Sequence, residues 1–520
     1  MKITDLRIVN TIIPFKDKWK FAFTASFIMG MLVHFYMFTH NLLSHDAAGT
    51  FYYSADYVDH GRWFLKSICS LSSYFQLPWV TGLLSVFYLS ISIVILVEIF
   101  DIENKISIVV IAGFLITFPS LAATFSYVFV ADGYMFGVLC ACLSVLMVQK
   151  IKFGYIWGAI PLAFSLGVYQ AYLSIAILLI MLLLIVQILD SESSVRSIRI
   201  KIREYLLFGI LGVVIDFICI KAALFITNST LIDYQGASSI NSFSLSIDNI
   251  MKSATMSVQG FAAFLKWPSI SGYGIIKYVL MVYAVIFILT VLLVVRKNKI
   301  YNSPIKIVLL LLILAFTPFA LEIIRFVIPD VWYHMLMYYP WCILFISVPV
   351  LHERYINMEK IYTGGGGGYC LLSNLAVICA SIIIFVYFLI SNIAYFNMDA
   401  RMNKTYGMTL RMVDRIEQTD DFTFETPVVF IGSLRYSAQN KAMDYITGMI
   451  GTEANDILGN DWHYKLFIDH YLNLKFPTPD PQVIESIKNS EQFQDMPLWP
   501  AKDSVQMIDG TIVVKVNDNW

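Results

Sequence analysis

AYLSIAILLIMLLLIVQIL, residues 171–189, runs its whole length without a charge. As a helix rising 1.5 Å per residue it reaches about 28 Å, close to the hydrocarbon thickness of a bilayer. Every face of that helix is apolar, which a helix resting on a water-facing core does not need. The stretch therefore reads as a membrane span. Similar runs recur on both sides of it, and about eleven spans are expected, near 19–39, 77–99, 106–121, 128–149, 153–168, 171–189, 204–226, 273–295, 305–321, 334–351 and 369–392. The third and fifth are short. The run after Lys20 is long, lacks a small-residue cleavage site and is followed by further spans, so it reads as the first span and not as a removable signal.

Composition agrees. Of 520 residues 58% are apolar and 14% charged, with a mean hydropathy of +0.69, whereas soluble domains carry about 25% charge. A water-exposed globule is excluded. The net charge of −1 gives no overall field toward nucleic acid, so no nucleic-acid partner is expected. The cysteines at 69, 140, 142, 219, 342, 370 and 379 form neither a metal quartet nor a disulfide framework. The glycines at 364–368 lack the Lys and Ser or Thr of a phosphate-cradling loop and read as a flexible hinge.

Lys and Arg distribution sets the expected orientation. Loops 1–20, 101–105, 150–152, 190–204, 296–306 and 352–368 hold 18 basic residues, while the alternate set holds 5: Arg62, Lys66, Lys252, Lys266 and Arg325. The first set should face the cytoplasm. An odd number of spans then places residues 393–520 outside, beyond a membrane module of residues 1–392. The outer segment carries PVVFIG (427–432) and TIVVKV (511–516), two buried-strand patterns, with a helix-like stretch at 438–450 between them. It is expected to be a small α/β domain.

Polar residues inside or beside spans are costly and therefore informative. Here they crowd toward the outer ends: His45-Asp46, Asp56 to Phe64, Tyr127 with Asp132, Tyr169-Gln170, and a later group of Glu322, Arg325, Asp330 and His334. Asp46 follows the first span and can take a proton from an attacking hydroxyl; a solvated loop carboxylate is the plainer alternative. Residues 54–67 have apolar positions at roughly helical spacing and read as an interfacial helix. Arg62 beside Trp63 suits phosphate or sugar, by guanidinium fork and indole face. Arg325 suits an anionic phosphate, or else pairs with Glu322 three residues earlier. Asp216 and Lys221 lie deeper, within a span, where they could pair inside the bundle; neither is given a functional role.

The ordered set His45-Asp46, Gly61-Arg62-Trp63-Phe64, Leu77-Pro78-Trp79-Val80, Phe118-Pro119-Ser120, Tyr127 with Ala131-Asp132-Gly133, and Val168-Tyr169-Gln170-Ala171-Tyr172 resembles the Gtr type II serotype-converting glucosyltransferases of bacteria. The end of the chain, at 427–432 and 508–515, is similar to Gram-positive members. The resemblance implies a polytopic α-helical glycosyltransferase of the GT-C class in the bacterial cell membrane. Such an enzyme takes a hexose, typically glucose, from undecaprenyl phosphate-sugar on the outer face and places it on an O-antigen, wall polysaccharide or teichoic acid. It further implies, as partners, membrane lipid, a donor-synthesising glycosyltransferase and a small flippase.

By that resemblance Asp46 is the catalytic base of an inverting displacement. The expected substrate contacts are His45, Asp59, Arg62, Trp63, Tyr127, Asp132, Tyr169, Gln170 and Arg325. Arg325, with Arg62, would neutralise the departing phosphate, and Trp63, Tyr127 and Tyr169 would line the sugar pocket. No cofactor beyond the lipid-linked donor is expected. The carboxylates form no metal set, and use of a divalent cation stays open because it varies across the class. A transporter or flippase of lipid-linked sugars, and a glycan-binding membrane protein without chemistry, are the rival readings.

Overall fold

The computed structural model describes residues 15–44, 46–47, 56–72, 75–232, 246–266, 275–329, 331–355, 367–434, 449, 451–452 and 457–518. In chain order the first helices are α1 (Asp17–Thr39), α2 (Leu65–Cys69), α3 (Pro78–Ile99), α4 (Lys105–Thr117), α5 (Pro119–Phe125) and α6 (Val128–Lys150). There follow α7 (Gly154–Trp157), α8 (Ala159–Val168), α9 (Leu173–Leu189), α10 (Val195–Thr227), α11 (Ile247–Lys266) and α12 (Ile275–Lys297). The last of the bundle are α13 (Pro304–Leu321), α14 (Cys342–Tyr355) and α15 (Gly367–Glu417). Nine described helices are long and apolar enough to cross a membrane, and α4 with α5, bent by 47°, makes a tenth. The shorter apolar stretch Gly154–Val168 stands where the fifth span was expected. The protein is a polytopic α-helical membrane protein.

Local chemistry sets the helix limits. Proline at the first turn starts α3 and α13, where its missing N–H costs nothing. Pro119 has no N–H to continue α4, and the chain bends there. The side chain of Asn104 caps α4 by accepting from the Ile106 and Ser107 amides, worth about 1 kcal/mol. Hydroxyls within the spans are satisfied internally: Ser26, Ser85, Thr117, Thr124 and Thr290 donate to carbonyls one turn earlier. The interior lies around α6 and the Met335–Tyr355 stretch, 83% and 89% buried, while α10 is only 17% buried and presents its side to lipid.

The two ends of the bundle differ in kind. At one, Lys18 reaches Asp101 and Glu103 at 2.7 and 2.6 Å, Glu353 accepts from the amides of Glu103 and Asn104, and Lys306 donates to the Asp190 carbonyl. These residues belong to the basic loop set. At the other end the polar loops are stitched to one another. The Phe64 amide donates to Gly167, Ser174 to the Leu321 carbonyl, and Ser120 to the Leu336 carbonyl. Helix α11, not expected from the sequence of the 227–272 loop, closes this end: Ser253 donates to the Arg325 carbonyl and Phe264 stacks on Trp341 at 3.7 Å.

The expected change at residue 393 is not a break in the chain. Helix α15 is 51 residues long, about 77 Å at 1.5 Å per residue, and it continues through that position. Its first residues include Gly367 and Gly368; the rest of the expected glycine hinge, 364–366, lies outside the described residues. Its far end carries an α/β unit with strands β1 (Val428–Ile431), β2 (Val505–Ile508) and β3 (Thr511–Lys515) and helix α16 (Asp461–Leu472) between β1 and β2. The sheet order is β1-β3-β2, with β1 parallel and β2 antiparallel to β3. The two expected strands are β1 and β3. The expected helix at 438–450 falls outside the described residues, apart from Met449.

This unit docks on the polar end of the bundle. Asn41 donates to the Tyr471 hydroxyl at 3.1 Å, and the buried Arg401 donates to the carbonyls of Leu43 and Gly451. Replacing Arg401 by methionine keeps its apolar stem but strips a charged donor from two carbonyls. That is expected to cost about 2–4 kcal/mol, read as a lower unfolding temperature in detergent and faster proteolysis of the C-terminal unit.

Candidate active site

The first polar loop does not form one interfacial helix. Residues Val58–His60 make a single 3-10 turn, α2 follows separately, and between them Gly61 takes φ +76°. An L side chain is strained there, and an added Cβ would sit 2.9 Å from Gln170 Nε2. That turn lets the loop fold back into the bundle. Trp63 packs on Gly167, where no Cβ stands in the way, and on the Phe164 ring at 5.5 Å. Its indole N–H donates to Asp216 Oδ1 at 2.8 Å. Asp216 lies 11 residues before the end of α10, about 16 Å down the helix. The loop thus reaches well below the rim.

Behind this loop is a cavity of about 270 Å³. Its polar lining comes from His60, Gly61 and Arg62 of the loop, Tyr169 and Gln170, Asp216 and Lys221 of α10, and His334. The remaining lining is apolar and includes Val213, Phe217 and Val327, which are also exposed on the outer surface. The cavity therefore has polar groups on its inner walls and a side that opens toward lipid.

Arg62, Gln170 and His60 are each held. Arg62 donates to the Tyr134 hydroxyl at 3.0 Å, and its guanidinium lies 5.0 Å from the Tyr169 ring and 5.5 Å from the Tyr57 ring. Gln170 Nε2 donates to the His60 carbonyl at 3.2 Å. Asp59 holds His60 through Nδ1 at 2.8 Å. His334 Nδ1 is buried and has no hydrogen-bond partner among the described residues.

Of the residues expected to contact substrate, Arg62, Tyr169 and Gln170 meet in this cavity, and Asp59 supports it through His60. Trp63 is behind the wall, aiming Asp216. Tyr127 is buried where Gly451 of the C-terminal unit packs on it and on Ser126. Asp132, 1% exposed, is held by its own Gly133 amide and by Cys69 and Ser72, on another side of α6. Arg325 is not among the cavity's lining residues: it pairs with Glu322, donates to the Val331 carbonyl at 2.8 Å and lies over the Tyr333 ring. Burial pushes the Glu322 carboxyl up, and the guanidinium is the group that opposes this. Asp46 is exposed in the turn after α1, and its neighbour His45, like Asp330, lies outside the described residues.

The Asp216–Lys221 pairing that the sequence left open is not formed. Asp216 takes the Trp63 indole, while the Lys221 ammonium lies over Phe217 at 5.4 Å. Asp216, Lys221, His60 and His334 were not among the expected substrate contacts. Two charges inside a span were the signal for the first pair. Among the described residues no group of three His, Cys, Asp or Glu side chains is placed to hold a metal ion.

No curated protein and no solved structure matches the chain. A family model described as glucosyl transferase GtrII matches residues 35–346, from the end of α1 into α14. That span contains the whole cavity and covers more than half of the chain, and the protein accordingly belongs to the GtrII glucosyltransferase family.

Proposed function

We propose that the protein moves glucose from undecaprenyl phosphate-glucose to a cell-surface polysaccharide or teichoic acid on the outer face of the cytoplasmic membrane. The observation that carries this reading is the cavity's division of labour. Apolar walls open to lipid suit prenyl units, and Arg62 and Lys221 suit the phosphate that joins them to the sugar. A nucleotide-sugar donor would need no lipid-facing side. With the basic loops read as cytoplasmic, this proposal has the cavity and the C-terminal α/β unit on the outside, where a long glycan acceptor arrives.

The proposed step is a single displacement. The acceptor oxygen forms a bond to the anomeric carbon as the bond from that carbon to the phosphate oxygen breaks. The electron pair leaves with undecaprenyl phosphate, and the acceptor proton passes to the Asp46 carboxylate. Phosphate departs without a proton, so one base suffices where glycosidases use two carboxyls.

The test is purified protein in proteoliposomes with labelled undecaprenyl phosphate-glucose and isolated wall glycan. Acceptor-dependent appearance of labelled glycan together with undecaprenyl phosphate is expected. Absence of transfer with every glycan offered, alongside activity with UDP-glucose, would overturn the donor.

A further inference from the structure

Asp216 is out of place for a cavity that only grips phosphate. It is the one carboxylate among the cavity's described lining residues, 7% exposed, on the buried stripe of α10 that also holds Phe208 and Gly212. A carboxyl group buried there is costly, and in its ionised form it repels a phosphate bound by Arg62 and Lys221. An ionised carboxylate is an acceptor only, and so is a phosphodiester; sugar hydroxyls, by contrast, donate. One oxygen of Asp216 is fixed by the Trp63 indole at 2.8 Å. The carboxylate cannot swing toward Lys221 without breaking that bond. Two more groups of suitable kind share the space, the Gln170 carboxamide and His334, whose Nδ1 is buried and unpartnered among the described residues.

We infer that Asp216 is the residue that recognises the transferred sugar, accepting a hydrogen bond from one of its hydroxyls, with Trp63 as the positioning residue that aims it. This rests on the donor reading above and adds to it where the hexose sits and what selects it. The helix supplies a rigid base, and the loop that carries Arg62 also carries Trp63 one residue later. Phosphate grip and sugar recognition are therefore set by one docked segment.

The experiment uses the full-length protein in proteoliposomes with undecaprenyl phosphate-glucose and a panel of its monodeoxyglucose counterparts. Wild-type, Asp216→Asn and Trp63→Phe proteins are compared by kcat/KM. Asp216→Asn is expected to lose about 10- to 100-fold with the glucose donor, the worth of a hydrogen bond to a charged group. With the one deoxy donor that lacks the contacted hydroxyl, it should match wild type within about threefold. Trp63→Phe should repeat the pattern in weaker form, about 3- to 10-fold, because it removes a neutral partner of the carboxylate and keeps the packing on Gly167. An Asp216→Asn loss that is equal across all donors would mark the residue as structural and overturn the inference, as would no loss. Trp63→Phe with unchanged donor selectivity would overturn its positioning role. Wild-type protein inactive with every undecaprenyl donor would overturn the donor reading and this inference together, an outcome distinct from the others.

Discussion

Replacing Arg62 by methionine is expected to lower kcat/KM for sugar transfer by about 10²–10³-fold, and by lysine about tenfold or more. The reason lies in how charge develops on the donor. A glycosyl phosphodiester carries one negative charge, and the undecaprenyl phosphate that leaves carries two. A cation beside it is therefore bound more tightly at the transition state than in the ground state, which is what raises kcat. With half a charge developed about 4 Å away at an effective dielectric near 20, the gain is about 2 kcal/mol, or roughly 30-fold. Lost hydrogen bonds account for the remainder. Arg62 is preorganised for this role: Tyr134 holds one nitrogen and the Tyr57 and Tyr169 rings flank the guanidinium plane. Lysine keeps the charge but has neither the fork nor the flat face. Steady-state kinetics with the labelled donor checks the claim, because the loss should fall on kcat more than on KM. A rise in KM alone would leave Arg62 as an anchor of the ground-state lipid and no more.

The membrane module was legible almost entirely, because a span is decided by length and apolarity, which the sequence states directly. The strands at 428–431 and 511–515 were legible for a similar reason, as short runs of β-branched residues bounded by turn formers. The site was only partly legible. Arg62, Tyr169 and Gln170 lie in connections at the polar ends of the spans, so their meeting at that end could be expected from position. Trp63 and Asp216 are 153 residues apart and meet only because Gly61 turns the loop inward and Gly167 leaves room for an indole. Nothing in periodicity encodes that approach. Arg325 shows the converse. Its spacing from Glu322 gave both a phosphate grip and an ion pair as options, and burial decided for the pair, since a buried guanidinium left alone costs several kcal/mol. Helix α15 runs past residue 393 because it stays helical after it stops being apolar, and hydropathy reads only the second property.

Replacing Asp46 by asparagine is expected to slow transfer by about 10²–10⁴-fold, the usual range for a general base, while donor binding is unchanged. Replacing His60 by glutamine should cost about tenfold or less. The contrast matters because His60, oriented at Nδ1 by Asp59, is the residue a reader of the cavity alone would choose as base. The geometry of displacement argues otherwise. In an inverting step the acceptor attacks the face of the anomeric carbon opposite the departing phosphate. His60 lines the cavity two residues from Arg62, so with the phosphate held by Arg62, as proposed, His60 falls beside the leaving group. Asp46 lies 14 residues before His60 in the same connection between α1 and α2; it does not line the cavity and is exposed, which suits a group that must meet an acceptor arriving from solution. Transfer rate and donor binding measured separately for both variants distinguish the assignments. Were Asp46→Asn to transfer normally while His60→Gln fell by the larger factor, the proton would go to His60 Nε2, and the leaving phosphate would have to lie away from Arg62.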